Sequence, residues 1–218
     1  MLHKLQNHKK MNIENLLIPT DSLESMHKEL NKRESKIVKS TIGVLLVDFS
    51  FSKAKEIIHP ALKWFNTFSG KDINLYLPGY VNGSSEDGLK YIFENNEYVF
   101  DENAFMDYCK DFFQKTGIEP TYSPTLVLFE HGEKDLSIAE KIVIDLSPEL
   151  SDAKKFEELF KVIFSNARKN VSLNSFSNAL QAQSIIPKLS TIVQQLTEKQ
   201  VLKPITTLVK NVYRFRIQ

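Results

Sequence analysis

The side chains able to do chemistry are few, and most of the possibilities close quickly. A single cysteine, Cys109, excludes an internal disulfide, a CxxC redox pair and any cysteine-based zinc cluster. Its helical face-mates Phe105, Phe112 and Phe113 mark it as a buried thiol used as a small hydrophobe. The five histidines, His3, His8, His27, His59 and His131, are scattered and lack the HExxH spacing that sets two rings on one metal. Gly83 and Gly88 have the spacing of a phosphate loop, but Leu89 interrupts the required Gly-Lys, and Glu86 and Asp87 would repel phosphate. Asp101, Glu102, Asp107 and Asp111 fit one solvated helix face, and no Ser/His/Asp order stands out. No catalytic residue, metal or cofactor is expected from these residues.

Charge is more informative than any motif. The net charge of +1 is a cancellation: residues 1–40 balance at +3, residues 41–167 at −9 and residues 168–218 at +7. An acidic body between basic ends suggests self-pairing or an anionic partner. The longest strongly apolar run, Ile42 to Val47, is too short to cross a membrane, and the N-terminus lacks the apolar stretch of a secretory signal. A cytoplasmic protein is the expectation. Only seven glycines in 218 residues disfavour glycine-rich nucleotide folds.

The elements that must position these residues follow from periodicity. Residues 1–20 are polar apart from Leu16 to Ile18, and Pro19 stops any helix there. Asp21 or Ser22 caps a helix carrying Leu23, Met26 and Leu30, which could pack on the body or on a partner. Ile42–Phe49 reads as a strand buried on both faces. Lys53–Phe68 has helical spacing with Pro60 inside it, and Ile73–Leu77 is a second strand. Tyr91 and Phe93, then Tyr98 and Phe100, alternate with polar residues as in a β-hairpin. Asp101–Lys115 is an amphipathic helix with Phe105, Met106, Cys109, Phe112 and Phe113 on its apolar face and Gly117 at its end. Strands Thr125–Glu130 and Lys141–Leu146 precede a helix capped by Ser147 or Ser151, with Phe156, Leu159, Phe160, Ile163 and Phe164 in its stripe. Beyond residue 172, Ile185, Leu189, Ile192, Leu196 and then Leu202, Ile205, Val209, Val212 predict two narrow amphipathic helices.

This order resembles the thioredoxin fold, and particular residues carry the resemblance over residues 40–169. Val47-Asp48-Phe49 resembles the Val-Asp-Phe before that family's redox motif. Ile57-Ile58-His59-Pro60-Ala61-Leu62 is similar to its proline-kinked helix. Ser123-Pro124-Thr125 resembles its cis-proline and following strand, and Glu130-His131-Gly132-Glu133 the turn after it. The resemblance implies an α/β fold, a thioredoxin-like β-α-β-α-β-β-α sandwich with a hairpin insertion and helical extensions at both ends. It divides the chain into a basic N-terminal extension (1–40), a thioredoxin-like domain (41–168) and a basic amphipathic helical extension (169–218). It places the two redox cysteines at Ser52 and Lys55, neither of which carries sulfur. A serine hydroxyl without an adjacent base cannot replace a thiolate, so thiol–disulfide exchange is rejected. Asp48, the acid that assists proton transfer in relatives, becomes a hydrogen-bonded structural group. The resemblance also implies a cis Pro124, with Ser123, Pro124 and Thr125 as a peptide-binding edge.

The functional expectation is a redox-inactive binding or scaffold module acting through protein–protein contact, as a homo-oligomer or as a subunit of a larger complex. Accessory proteins of bacterial (including antiviral) defence systems adopt such folds. Tyr80, Tyr91 and Tyr98 of the hairpin region and Leu202, Ile205, Val209 and Val212 are the candidate partner contacts. Lys203, Lys210, Arg214 and Arg216 support the alternative of an effector that engages an anionic membrane or nucleic acid. A second alternative is a non-redox enzyme, for example of glutathione-transferase type, with a cleft near Ser52 and Pro124.

Overall fold

Apolar runs of five or six residues, too short for helices and rich in Val, Ile and Leu, build the centre of the protein. In the computed structural model, which describes residues 17–34, 41–68, 73–83, 88–119, 123–129, 136, 140–147, 152–169, 171–182 and 215–217, they form one mixed sheet. Its strands are β1 (Leu17–Thr20), β2 (Thr41–Leu46), β3 (Ile73–Pro78), β7 (Thr125–Phe129) and β8 (Lys141–Asp145), in the order β1-β3-β2-β7-β8. β1 and β2 run parallel to β3, while β7 is antiparallel to both β2 and β8. This order is compatible with the arrangement that the resemblance implies. A three-residue strand, β9 (Phe215–Ile217), pairs antiparallel with the outer side of β8.

β1 is the element that periodicity did not reveal. Its four residues are all buried, and they pair with β3 from Leu17↔Leu75 to Thr20↔Pro78. Pro19 is tolerated because β1 lies at the sheet edge, where a missing N–H breaks no ladder. Pro19 is not helical, as expected, and sits inside a strand.

Strands buried on both faces need helices on both, and amphipathic stripes supply them. α1 (Leu23–Glu34) packs on the body through Met26 and Leu30, and the Tyr108 hydroxyl of α3 (Glu102–Thr116) reaches the Met26 sulfur at 2.9 Å. α2 (Ser52–Phe68), with Pro60 inside it, packs on α4 (Ala153–Arg168) through a cluster of rings. Phe65 stacks on Phe160 at 4.1 Å, with Phe156, Phe164 and Trp64 around them.

The ends of α3 follow from its sequence. The Asp101 carboxylate accepts the Ala104 N–H at 2.8 Å, and Gly117 adopts φ 70° with its N–H on the Phe113 carbonyl. Its apolar face needs correction, because Phe105, Tyr108, Cys109, Phe112 and Thr116 are buried whereas Met106 and Phe113 are exposed. At 3.6 residues per turn, positions 106 and 113 fall on the flank of the stripe rather than at its centre. The cap of α4 is also corrected. Asp152 accepts the Lys154 N–H, while Ser147 is held in the turn after β8 by Asp145 at 2.7 and 2.9 Å. Ser151 lies outside the described residues.

The insertion after β3 forms its own antiparallel sheet of β4 (Tyr80–Asn82), β5 (Lys90–Phe93) and β6 (Asn96–Phe100), in the order β4-β6-β5. Glu94 and Asn95, with φ of 47° and 67°, make the two-residue turn between β5 and β6. Gly79 joins the two sheets at φ 85°, where a Cβ would meet Phe105 Cβ at 2.7 Å and the Phe100 ring at 2.8 Å. α5 (Leu173–Ala182) belongs to the body, with Leu173, Phe176 and Leu180 buried and contacts to α4 and β8. The two helices predicted between residues 185 and 212 lie outside the described residues.

Candidate functional site

The loop from β2 into α2 is where a catalytic thiol pair would sit if the resemblance held chemically. Asp48 shapes this loop, with one carboxylate oxygen accepting the Ser50 N–H at 2.8 Å and the Ser50 hydroxyl at 2.6 Å. The Phe51 N–H reaches back to the Asp48 carbonyl at 3.4 Å, and the Lys55 N–H bonds the Phe51 carbonyl at 3.1 Å, opening α2. Ser52 is the first residue of that helix, and both it and Lys55 are exposed. Phe51 stands beside them with half of its surface in water.

Behind this loop the aromatic insertion closes the molecule. Phe49 is buried against three rings: Phe100 at 5.5 Å, His59 at 5.8 Å and Tyr80 at 5.9 Å. His59 donates a hydrogen bond to the Lys90 backbone of β5, so α2 is tied to the small sheet. Its Nε2 is buried with no hydrogen-bond partner, and burial, with the charge of Lys55 as a lesser contribution, holds the ring below its ordinary pKa. A neutral ring with one nitrogen committed to the backbone and the other buried is not placed as a base for Ser50 or Ser52.

Two of the tyrosines expected to meet a partner, Tyr80 and Tyr91, are spent internally. Tyr80 and Tyr91 are both buried, and the Tyr91 hydroxyl donates to the Leu17 carbonyl of β1 at 3.2 Å. Burial pushes both phenols well above their ordinary range. Tyr98 is half-buried, its ring edge-on to Phe93 at 6.2 Å. The insertion's exposed apolar side chain is Ile92, which is 67% exposed. Strict alternation along β5 puts Ile92 opposite Tyr91 and Phe93, a signal that was present in the sequence.

The peptide bond before Pro124 is trans, since no cis peptide occurs among the described residues. This overturns the expected cis-proline. Pro124 opens an interior strand: its carbonyl accepts the Leu146 N–H at 2.8 Å, and Thr125 pairs with Leu46 of β2 and with Asp145 of β8. The backbone at this point is thus already held from both sides of β7. The register does bring Pro124 next to the end of β2 from which the Asp48–Ser52 loop departs.

Cys109 is buried, and its thiol is pushed up to about 12, first by burial and then by the nearby charge of Asp48. Lys141 is the polar residue that the sequence reading passed over. It is 1% exposed, and its ammonium donates to the Thr116 carbonyl at 2.8 Å, capping the last turn of α3. Burial lowers its pKa. Among the described residues no group of three His, Cys, Asp or Glu side chains is arranged to hold a metal. No helix there is long and apolar enough to cross a membrane. Leu202, Ile205, Val209, Val212, Lys203, Lys210 and Arg214 lie outside the described residues, and Arg216 lies in β9 opposite Val143.

No protein family matches this chain, and neither does any curated protein or solved structure.

Proposed function

We propose that this chain is a thioredoxin-like module that has given up thiol redox chemistry and works by binding protein, either a second copy of itself or a subunit of a larger assembly. The observation that carries the reading is the pair Ser52 and Lys55 at the exposed start of α2, with the lone thiol buried elsewhere. The sheet order β1-β3-β2-β7-β8, with α2 leaving β2 and α4 following β8, supports the fold assignment. Exposed Phe51 and Ile92 on a body of net negative charge, with a basic C-terminal segment, support a surface used for contact. A scaffold needs no nucleophile–base pair, and Asp48, Ser50 and His59 are engaged in holding the loop and the small sheet.

Native mass spectrometry of the tagged full chain, purified gently from its own host, tests the proposal. The expected result is a stoichiometric complex containing an untagged copy or another protein. Recovery of the chain alone at 25.1 kDa plus its tag, at every purification salt, would sink it.

A further inference from the structure

The bond from His59 to the Lys90 backbone joins a helix of the main body to the edge strand of the small sheet. Along β5, Tyr91 and Phe93 face their partners Tyr98 and Asn96 in β6, in phase with the bond from the Phe100 N–H to the Leu89 carbonyl at 3.0 Å. Lys90 and Ile92 therefore turn their backbone groups outward, and the His59 ring meets the Lys90 carbonyl on that side. Because Nε2 is the buried atom without a partner, Nδ1–H is the donor and Nε2 carries the lone pair. A proton arriving at Nε2 finds no acceptor, and a buried donor left without one is costly. Charge gives it no help. Lys55, one turn earlier on α2, opposes a positive ring, and the Lys90 ammonium of β5 pairs with Glu97 of β6 at 3.2 Å. From the end of β2 the ring meets Phe49, edge-on at 5.8 Å, with Tyr80 of β4 beyond it as an uncharged phenol. The Asp48 carboxylate is turned into its own loop by Ser50, and among the described residues no carboxylate bears on the ring. His59 as a whole is only half-buried, so the ring has a short way to solvent, where an imidazolium is hydrated.

We infer that His59 is an acid-sensitive latch on the small sheet: neutral, it holds the β5 edge against α2, and protonated, it turns out to water and releases the Lys90 carbonyl. Histidine is the side chain whose charge changes in the range where such a device is useful. The small sheet keeps its other anchors, the Asp101 N–H on the Gly79 carbonyl at 2.8 Å and the Tyr91 hydroxyl on Leu17. Release is therefore local to the edge that faces α2, and an edge strand freed on one side frays more readily from its neighbour. The latch bears on the exposed surface, because Phe51 immediately precedes α2 and Ile92 lies two residues beyond Lys90. These exposed apolar side chains sit on the two elements that the latch joins. The device stands apart from the protein-binding reading, and its test uses the chain alone.

A released ring titrates near the ordinary value of about 6.5 and a latched ring below it, so acid drives opening. Between pH 7.5 and 5.5 the opening equilibrium should rise by up to about tenfold, the limit reached when the latched ring stays neutral throughout. NMR of the isotope-labelled full chain follows the His59 ring and the Lys90 carbonyl carbon over this range. Hydrogen exchange, corrected for its intrinsic pH dependence, follows the Tyr91 and Phe93 amides of β5 beside those of β2 and β7. The expected result is a Lys90 carbonyl shift with the same midpoint as the ring, and faster exchange in β5 but not in the main sheet. His59→Asn keeps a donor near the place of Nδ1 without titrating, so in that chain both changes should vanish. A Lys90 carbonyl that ignores the ring's titration overturns the inference, and so does exchange that rises equally in β2 and β7. Should His59→Asn weaken the fold, the native chain decides by itself, since both signals are read in it.

Discussion

Restoring sulfur to the start of α2 is the sharpest test of how the loop is read. Ser52 is the first residue of the helix and Lys55 lies one turn on, so Ser52→Cys with Lys55→Cys recreates a CxxC pair on an exposed helix N-terminus. Side chains three apart on a helix have Cβ atoms about 5–6 Å apart, whereas a disulfide needs roughly 3.5–4.5 Å. The first turn must therefore tighten by about 1–2 Å, a modest adjustment where the N–H groups lack helical partners. A negative charge at an exposed helix N-terminus gains about 0.3–1 kcal/mol, and one pKa unit is about 1.36 kcal/mol. The thiol introduced by Ser52→Cys should titrate roughly 0.2–0.7 units below an ordinary cysteine at ~8.5, raising its thiolate fraction at pH 7 by about 1.5- to 4.5-fold. Thiolate absorbance against pH measures this directly, with Ile92→Cys on the exposed face of β5 as the control. Oxidation in a glutathione buffer then shows whether the pair closes. A thiol at position 52 that titrates at or above the control, together with a pair that stays reduced, would refute the placement of the vestigial site.

Three further outcomes follow from the packing. Cys109 in the native chain should resist a thiol-specific reagent at pH 8 and react fully only after unfolding, because its thiol is buried and raised to about 12; rapid native labelling would contradict that. The burial of His59 favours its neutral form, so the unfolded chain takes up a proton first as pH falls below about 6.5. Stability should therefore decline from pH 6.5 down through the lowered pKa, and the denaturation midpoint of His59→Gln should lose that part of the slope. Phe65→Ala removes the ring at the centre of the α2–α4 cluster, at a cost of about 3–5 kcal/mol. At roughly 2–4 °C per kcal/mol for a chain of this size, Tm should fall by on the order of 10 °C, and a change under about 3 °C would contradict the packing.

Most of the sheet and helices were legible because their patterns are long or strongly periodic. The run Ile42–Phe49 read as a strand buried on both faces and Thr125–Glu130 as a strand, where β2 and β7 lie, and α4 was read from its five-residue stripe. What was missed has physical reasons. β1 is four residues long and contains Pro19, so neither period nor propensity marks it, and only its place beside β3 makes it a strand. Met106 and Phe113 looked like core residues because apolar character was read without the helix angle, while Tyr108 and Thr116 took the buried positions. Lys141 opens an apolar strand, and nothing in the sequence says that a carbonyl at the end of α3 waits for its ammonium. The loop before α2 was located from its flanking residues. Whether Pro124 is cis or trans depends on tertiary context, here a proline opening a strand already paired on both sides.

The central claim is that this chain works by binding protein, and a second copy of itself is the partner that the purified chain alone can reveal. Light scattering on the purified full chain over a concentration series, beside a chain ending at Ala182 that keeps the whole of α5, tests this most directly. The account predicts a mass of twice 25.1 kDa for the full chain at high concentration and a monomer for the shortened one. A full chain that stays at 25.1 kDa throughout the series, and that is also recovered alone from its own host, would contradict it.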